Sequence, residues 1–124
     1  MVHVWSKQQP TVALSSAEAE FVALCLAVTE CLFVVQFLSE LGVSFKRPVI
    51  HTDSKSALDM VSKRTTGRVK HLDRRLYFVK ERVQRGDVDL KWIPGKENRA
   101  DLLTKYLDRV TLERHRRTMV EDKP

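Results

Sequence analysis

The sequence predicts an α/β domain, in which short strands alternate with helices along one chain. Short strands are predicted at residues 2–5, 49–52 and 88–92, from alternating apolar residues in the first and third and from a short apolar run after Pro48 in the second. Helical apolar patterns separate these strands, and that order is typical of helices layered on a sheet. With 124 residues, 43% hydrophobic and 31% charged, the chain has the composition of one globular domain rather than of a disordered segment.

The first helix is predicted over residues 16–41. Ser15 and Glu18 fit a capping box at its start, and Gly42 is a helix-ending glycine. Residues 21–37 are apolar nearly all round, a pattern that indicates a helix covered on several sides. The longest unbroken apolar run, residues 21–28, is much shorter than a membrane span, and no signal sequence precedes it. We therefore expect a soluble, intracellular chain without a membrane partner.

Further helices are predicted after the second strand and on both sides of the third. Asp53 or Ser54 would cap the first of them. A basic loop over residues 63–70 leads into a helix over residues 71–85, which Gly86 ends. A helix over residues 97–105 follows the last strand. The domain is expected to cover residues 1–107, and residues 108–124, including the basic cluster "RHRR" at 114–117, to form a basic tail that is helical at first and then frays.

Charge indicates what kind of partner the chain could bind, and cysteine usage indicates its cellular compartment. The chain carries 22 basic and 16 acidic residues, a net charge of +6, which favours a polyanionic partner. Cys25 and Cys31 are expected on different faces of one helix, so a disulfide between them is not expected, and two buried free thiols suit a reducing compartment.

Three acidic residues stand out by their context. Glu20 lies in the first turns of the long helix, Asp53 ends a strand, and Asp101 lies on the helix that follows the last strand. Strand ends and the adjoining helix starts gather at one edge of an α/β sheet, so the three carboxylates are expected to meet there. Carboxylates a few Å apart repel by roughly 4 kcal/mol per pair, a penalty that a divalent cation reverses. Oxygen ligands favour Mg²⁺ or Mn²⁺.

Each acid also has a purely structural interpretation. Asp53 could cap the next helix, and Glu20 could be a solvated acid near the favourable end of the helix dipole. Asp101 could pair with Arg99 or Lys105 at the surface. Taken singly, these interpretations stay open.

Three segments together resemble a known family. They are "TVALSSAEAEFVAL", "IHTDSKSAL" and "RVKHLDRRLYFVKERVQRGDVDLKWIPGKENRADLLTK". They resemble the ribonuclease H domain at the end of the Pol polyprotein of copia-type retrotransposons, from about residue 4 to residue 107. The order and spacing of the motifs make this resemblance far more specific than any single motif.

The resemblance implies a ribonuclease H-like fold, with a five-stranded mixed sheet flanked by helices. It implies cleavage of the RNA strand of RNA:DNA hybrids at a four-acid site with two Mg²⁺ or Mn²⁺ ions, which clamp the attacking water and the departing 3′ oxygen. By motif, Glu20, Asp53 and Asp101 match three of the four acids. Hybrid selectivity would rest on contacts to 2′-hydroxyl groups. The reverse transcriptase portion of the same polyprotein becomes an expected partner, and the cytoplasmic retrotransposon particle, with access to the nucleus, the expected location.

The chain departs from the family at two points. The family's fourth acid lies on its first strand, but this chain begins at the element that matches the family's third strand. We therefore expect a ribonuclease H-like domain that lacks its first two strands and is inactive by itself. A histidine found before the last acid in cellular relatives is also missing from "IPGKEN".

The alternative hypothesis is a non-catalytic remnant that binds nucleic acid or has only a structural role. The basic loop residues are the more specific candidates for phosphate contacts. A solvated basic surface without a ligand explains their positive charge equally well. The candidate nucleic-acid-binding residues are Lys63, Arg64, Arg68 and Lys70.

Overall fold

The structure is a computed structural model that describes residues 16–44, 46–62, 73–103 and 105–121. In chain order its elements are α1 (Ser16–Glu40), β1 (Val49–Thr52), α2 (Lys55–Ser62), α3 (Asp73–Gln84), β2 (Asp89–Trp92), two 3₁₀ turns (Gly95–Glu97 and Arg99–Leu103) and α4 (Arg109–Glu121). The predicted strand at residues 2–5 and the Ser15 side of the predicted capping box lie outside the described residues.

Two glycines end α1 and α3, as the sequence predicts. Gly42 has φ +81° and Gly86 has φ +78°, a left-handed conformation that glycine adopts without steric cost. At each helix end the glycine N–H donates to the third carbonyl before it, Ser39 or Val83. The next N–H, from Val43 or Asp87, donates to the fifth carbonyl before it, which completes a Schellman motif.

The two strands pair in parallel. Val49 is in register with Asp89, and Thr52 with Trp92. The ladder extends past both ends, because Asp89 N–H donates to Pro48 and Ile93 N–H donates to Thr52, each at 2.9 Å. Within the described residues the sheet has these two strands. The larger ribonuclease H-like sheet therefore stays a prediction.

The core lies between α1, α2, α3 and one face of the sheet. Phe21 and Val28 of α1, Val79 of α3 and Val88 before β2 are fully buried. Ile50 and Leu90, which are paired in register, pack against this cluster from the sheet. Because side chains alternate along a strand, the neighbours of Ile50 and Leu90 point to the opposite face of the sheet.

Helix α1 is apolar well beyond the part that the core covers. By length and composition alone it could cross a membrane, with a mean hydropathy of 2.3 over its most apolar window. A core helix of a soluble protein passes the same test, and α1 contributes Phe21, Val22, Leu24, Cys25 and Val28 to the buried cluster.

The segment after β2 differs from the sequence prediction. A helix was expected over residues 97–105, but the structure has two 3₁₀ turns separated by Asn98. The side-chain oxygen of Asn98 accepts a hydrogen bond from the N–H of Ala100 at 3.1 Å. This local bond competes with the backbone hydrogen bonds of a continuous helix, and a second 3₁₀ turn begins after it.

The basic cluster at residues 114–117 lies in a regular helix rather than in a fraying tail. Asp108 caps α4, since its carboxylate accepts a hydrogen bond from the N–H of Thr111 at 3.3 Å. Hydrogen bonds from the side chain and backbone of Thr111 hold the pKa of Asp108 below its usual value. His115 is only 3% exposed, so α4 packs against the rest of the chain.

Candidate carboxylate site at the sheet edge

Asp53 follows β1 directly and is not the cap of α2. The capping residue is Ser54, whose hydroxyl accepts a hydrogen bond from the N–H of Ala57 at 3.2 Å. The backbone carbonyl of Asp53 accepts a hydrogen bond from the indole N–H of Trp92 at 3.1 Å. Of the two interpretations open for Asp53, the structure therefore removes helix capping and leaves its carboxylate for another role.

The chain leaving β2 returns towards the Asp53 carboxylate. A Cβ atom added to Gly95 would lie 3.5 Å from Oδ2 of Asp53, which is ordinary van der Waals contact. The ammonium group of Lys55 lies 4.6 Å from the centre of the Trp92 ring and adds a cation–π contact at this end of the sheet. The carboxyl ends of both strands and the first turn after β2 thus meet around Asp53.

Asp101 lies in the second 3₁₀ turn and is paired with a lysine. Its side chain is 14% exposed, and one carboxylate oxygen lies 3.2 Å from Nζ of Lys105, whose side chain is 60% exposed. This is the surface pairing that the sequence left open for Asp101. A cation at the same oxygen would compete with the Lys105 ammonium group.

Glu20 lies in the second turn of α1 and is exposed. Its neighbours Phe21 and Val22 are buried, whereas Glu20 itself lies at the edge of the buried face and is open to solvent.

The three acids therefore do not form a metal-binding set in this structure. Across the four described segments, which contain Glu20, Asp53 and Asp101, no three His, Cys, Asp or Glu side chains are grouped so that they could hold a metal ion. Asp53 and Asp101 both lie in segments that leave the carboxyl end of the parallel strands, whereas Glu20 lies on a separate helix. The described residues thus gather no set of three ligands, and the two-metal site that the family resemblance implies stays a prediction.

The four predicted nucleic-acid-binding residues fall outside the described part of the chain. They are Lys63, Arg64, Arg68 and Lys70. Their role stays a prediction.

A second feature was not predicted from the sequence. A cleft of about 530 Å³ lies between the loop after β2 and helix α4. Its ionisable lining residues are His51, Glu97, Arg99, Arg114 and His115. The basic cluster "RHRR" was the available signal, but only the packing of α4 brings it next to His51.

Comparison with known proteins finds that the chain is similar to segments of transposon polyproteins. It is 39% identical over 110 residues to the retrovirus-related Pol polyprotein from transposon TNT 1-94 of Nicotiana tabacum. It is 31% identical over 110 residues to the corresponding polyproteins from transposons RE2 and RE1 of Arabidopsis thaliana. Each match covers 87% of this chain and 8% of the relative.

The chain is thus homologous to a segment of retrovirus-related Pol polyproteins from plant transposons, and it spans a small part of their length. No protein-family model matches it. No solved structure matches it.

Proposed function

We propose that this chain is part of the ribonuclease H portion of a retrotransposon Pol polyprotein, and that it does not cleave RNA:DNA hybrids by itself. The homology to Pol polyproteins over 110 residues supports the parent protein. The motif resemblance around Glu20, Asp53 and Asp101 supports the nuclease portion.

The position of Asp53 is the observation that carries the proposal. Ser54 caps α2, so nothing in the local helix requires a carboxylate at position 53. The carboxylate nevertheless stands at the carboxyl end of a parallel strand, next to the turn at Gly95. Ligand sites of α/β sheets form at this edge.

The proposed inactivity of the chain alone follows from the arrangement of the acids. Asp101 is paired with Lys105 at 3.2 Å, and the described residues bring no three potential ligands together. By the family resemblance, the intact domain holds its metal ions with a fourth carboxylate beside these three.

A cleavage assay tests both parts of the proposal. The purified chain is incubated with a labelled RNA:DNA hybrid and Mg²⁺ or Mn²⁺, beside a chimera in which the two strands upstream of the matching segment of a homologous Pol polyprotein precede this chain. We expect no cleavage by the chain alone and metal-dependent cleavage by the chimera.

Paired variants of the chimera identify the acid responsible. Asp53→Asn is expected to abolish cleavage, while Asp59→Asn removes the same charge from an exposed position of α2 and should leave cleavage unchanged. A folded chimera that does not cut would overturn the nuclease proposal. Cleavage by the unextended chain that Asp53→Asn abolishes would overturn its inactivity.

A non-catalytic nucleic-acid-binding role is the second candidate, favoured by the net charge of +6. Filter binding of the hybrid across a salt series should then give a negative log–log slope. Replacing Lys63, Arg64, Arg68 and Lys70 with alanine should reduce that slope by up to about 0.9 for each phosphate that is no longer neutralised. A salt-independent affinity would contradict this role.

A further inference from the structure

The cleft between the loop after β2 and helix α4 opens on the face of the sheet away from the core. Ile50 packs on the buried cluster, so the next residue, His51, points to the opposite face. His51 and Ile93 contribute to the cleft from the sheet side, and Arg114, His115 and Thr118 contribute from α4. The cleft is therefore a tertiary feature made by three separate parts of the chain.

Cationic groups outnumber acids in the lining. Arg99 and Arg114 carry permanent charge, and Glu97 is the one acidic lining residue. Arg114 is held at the cleft, because Nη2 donates a hydrogen bond to the carbonyl of Lys96 at 2.7 Å. Among the described residues this bond uses one of the five guanidinium N–H donors, and the planar fork of the group matches the oxygens of a phosphate.

Neutral lining groups also present hydrogen-bond donors. The side-chain oxygen of Asn98 accepts from Ala100, which leaves the Asn98 NH₂ group as a donor at the cleft. His115, which is 3% exposed, lines the same cleft from helix α4.

We infer that this cleft binds the phosphate group of a nucleotide or of a nucleic-acid backbone. Its volume, about 530 Å³, lies in the range of small-molecule sites. Its donors and cations select an anion, and the planar guanidinium groups favour phosphate. This inference does not require hybrid cleavage, because it concerns binding at residues other than the three acids, so either proposal can fail without the other.

Nuclear magnetic resonance titration of the full chain tests the inference. The probes are AMP and a short oligothymidylate without terminal phosphates, with a glutamate oligomer of equal charge as the competing polyanion. Binding should shift the resonances of His51, Asn98 and His115. Shifts with the oligothymidylate identify a backbone phosphodiester as the source, and shifts with AMP alone identify a free nucleotide phosphate.

Three variants locate the binding. Arg114→Gln should weaken binding about tenfold, as expected for the loss of a charge-assisted hydrogen bond. Arg117→Gln makes the same charge change on the same helix, at an exposed residue outside the lining, and should change affinity less than about twofold. Glu97→Gln should tighten binding, since it removes the acid from the lining.

Circular dichroism confirms that each variant is folded, and Glu97→Gln keeps the test decisive if Arg114→Gln unfolds. Three results would overturn the inference. These are equal weakening by Arg114→Gln and Arg117→Gln, no tightening by Glu97→Gln, and equal binding of the glutamate oligomer.

Discussion

The two halves of α1 are both apolar in sequence, but phenylalanines are buried in the first half and exposed in the second. Phe21 and Val28, in the first half, are fully buried. Phe33 and Phe37, in the second half, are 66% and 53% exposed. Phe33, Phe37 and Leu41 recur every four residues and so lie along one side of the helix.

Tertiary packing makes this difference. All the buried residues of α1 lie between Phe21 and Val28, where α2, α3 and the sheet meet it. There the Cys25 thiol donates a weak hydrogen bond to the carbonyl of Arg75 on α3 at 3.9 Å. An apolar sequence therefore identifies a helix surface that can be buried. The neighbouring elements determine which part of that surface is buried.

The largest expected contrast is between phenylalanines in the two halves. Phe21→Ala should lower the free energy of unfolding by about 3–5 kcal/mol, because it leaves a cavity in the core. Phe37→Ala should cost less than about 1 kcal/mol, because its ring is 53% exposed. Urea unfolding followed by circular dichroism measures both.

A milder pair of substitutions keeps the contrast measurable if the Phe21→Ala variant does not fold. Phe21→Leu and Phe37→Leu should keep the same order of effects with smaller losses. Equal losses at the two positions would show that the second half of α1 is covered after all.

The next contrast is between the two cysteines. Burial raises the pKa of the Cys25 thiol to about 12, and burial also raises the pKa of Cys31, which is less covered. Since the thiolate is the reactive species, alkylation at pH 8 should modify Cys31 at least about tenfold faster than Cys25. Peptide mass spectrometry of a time course measures the two rates.

The raised pKa of Cys25 also determines whether the free energy of unfolding rises or falls with pH. The folded chain holds the thiol proton more tightly than the unfolded chain, so the Cys25 contribution to stability is present below pH 9.0. It is lost as pH rises towards about 12. The free energy of unfolding of the wild type should therefore fall more steeply over that window than that of Cys25→Ala, and identical slopes would contradict the assignment.

A smaller effect is expected from the cap of α2, the helix that covers the first half of α1. Ser54→Ala removes the hydroxyl that accepts the N–H of Ala57 and should cost about 1 kcal/mol. Ser62→Ala, at the exposed end of the same helix, should be close to neutral because alanine favours helix. Thermal unfolding compares the two, and an equal loss would argue against Ser54 as the cap.

The smallest effect is expected in the uncovered half of α1. The side-chain amide of Gln36 donates a hydrogen bond to Glu40 at 3.3 Å on the helix surface. Gln36→Ala should lower the free energy of unfolding by at most about 0.5 kcal/mol. A loss comparable to that of Ser54→Ala would show that this half of the helix has a partner.

Much of the secondary structure could be predicted from local patterns. The short apolar run at residues 49–52 and the alternation in residues 88–92 predicted both described strands, and Gly42 and Gly86 predicted two helix ends. These features depend on neighbouring residues, whose conformational preferences act at short range. The helix predicted over residues 97–105 was wrong because a single side-chain bond from Asn98 interrupts it.

The candidate site was predictable only in part. Its acids could be chosen from their context, but the sequence could not decide between capping and an open carboxylate at Asp53, nor between a metal ligand and an ion pair at Asp101. The hydrogen bond of Ser54 shows that Asp53 is not the cap of α2, and Asp101 pairs with Lys105, while metal binding by either acid stays a prediction. Whether the three acids can meet depends on the positions of distant elements, which local preference does not encode.

By itself, the sequence determined the two described strands, the glycines that end α1 and α3, the positive charge, and the motifs that link the chain to transposon polyproteins. Tertiary structure alone decided which half of α1 is buried and that α4 closes a cleft over His51. The physical reason is range: turns, caps and periodicity act between near neighbours, whereas burial and clefts require elements far apart in the chain to pack together.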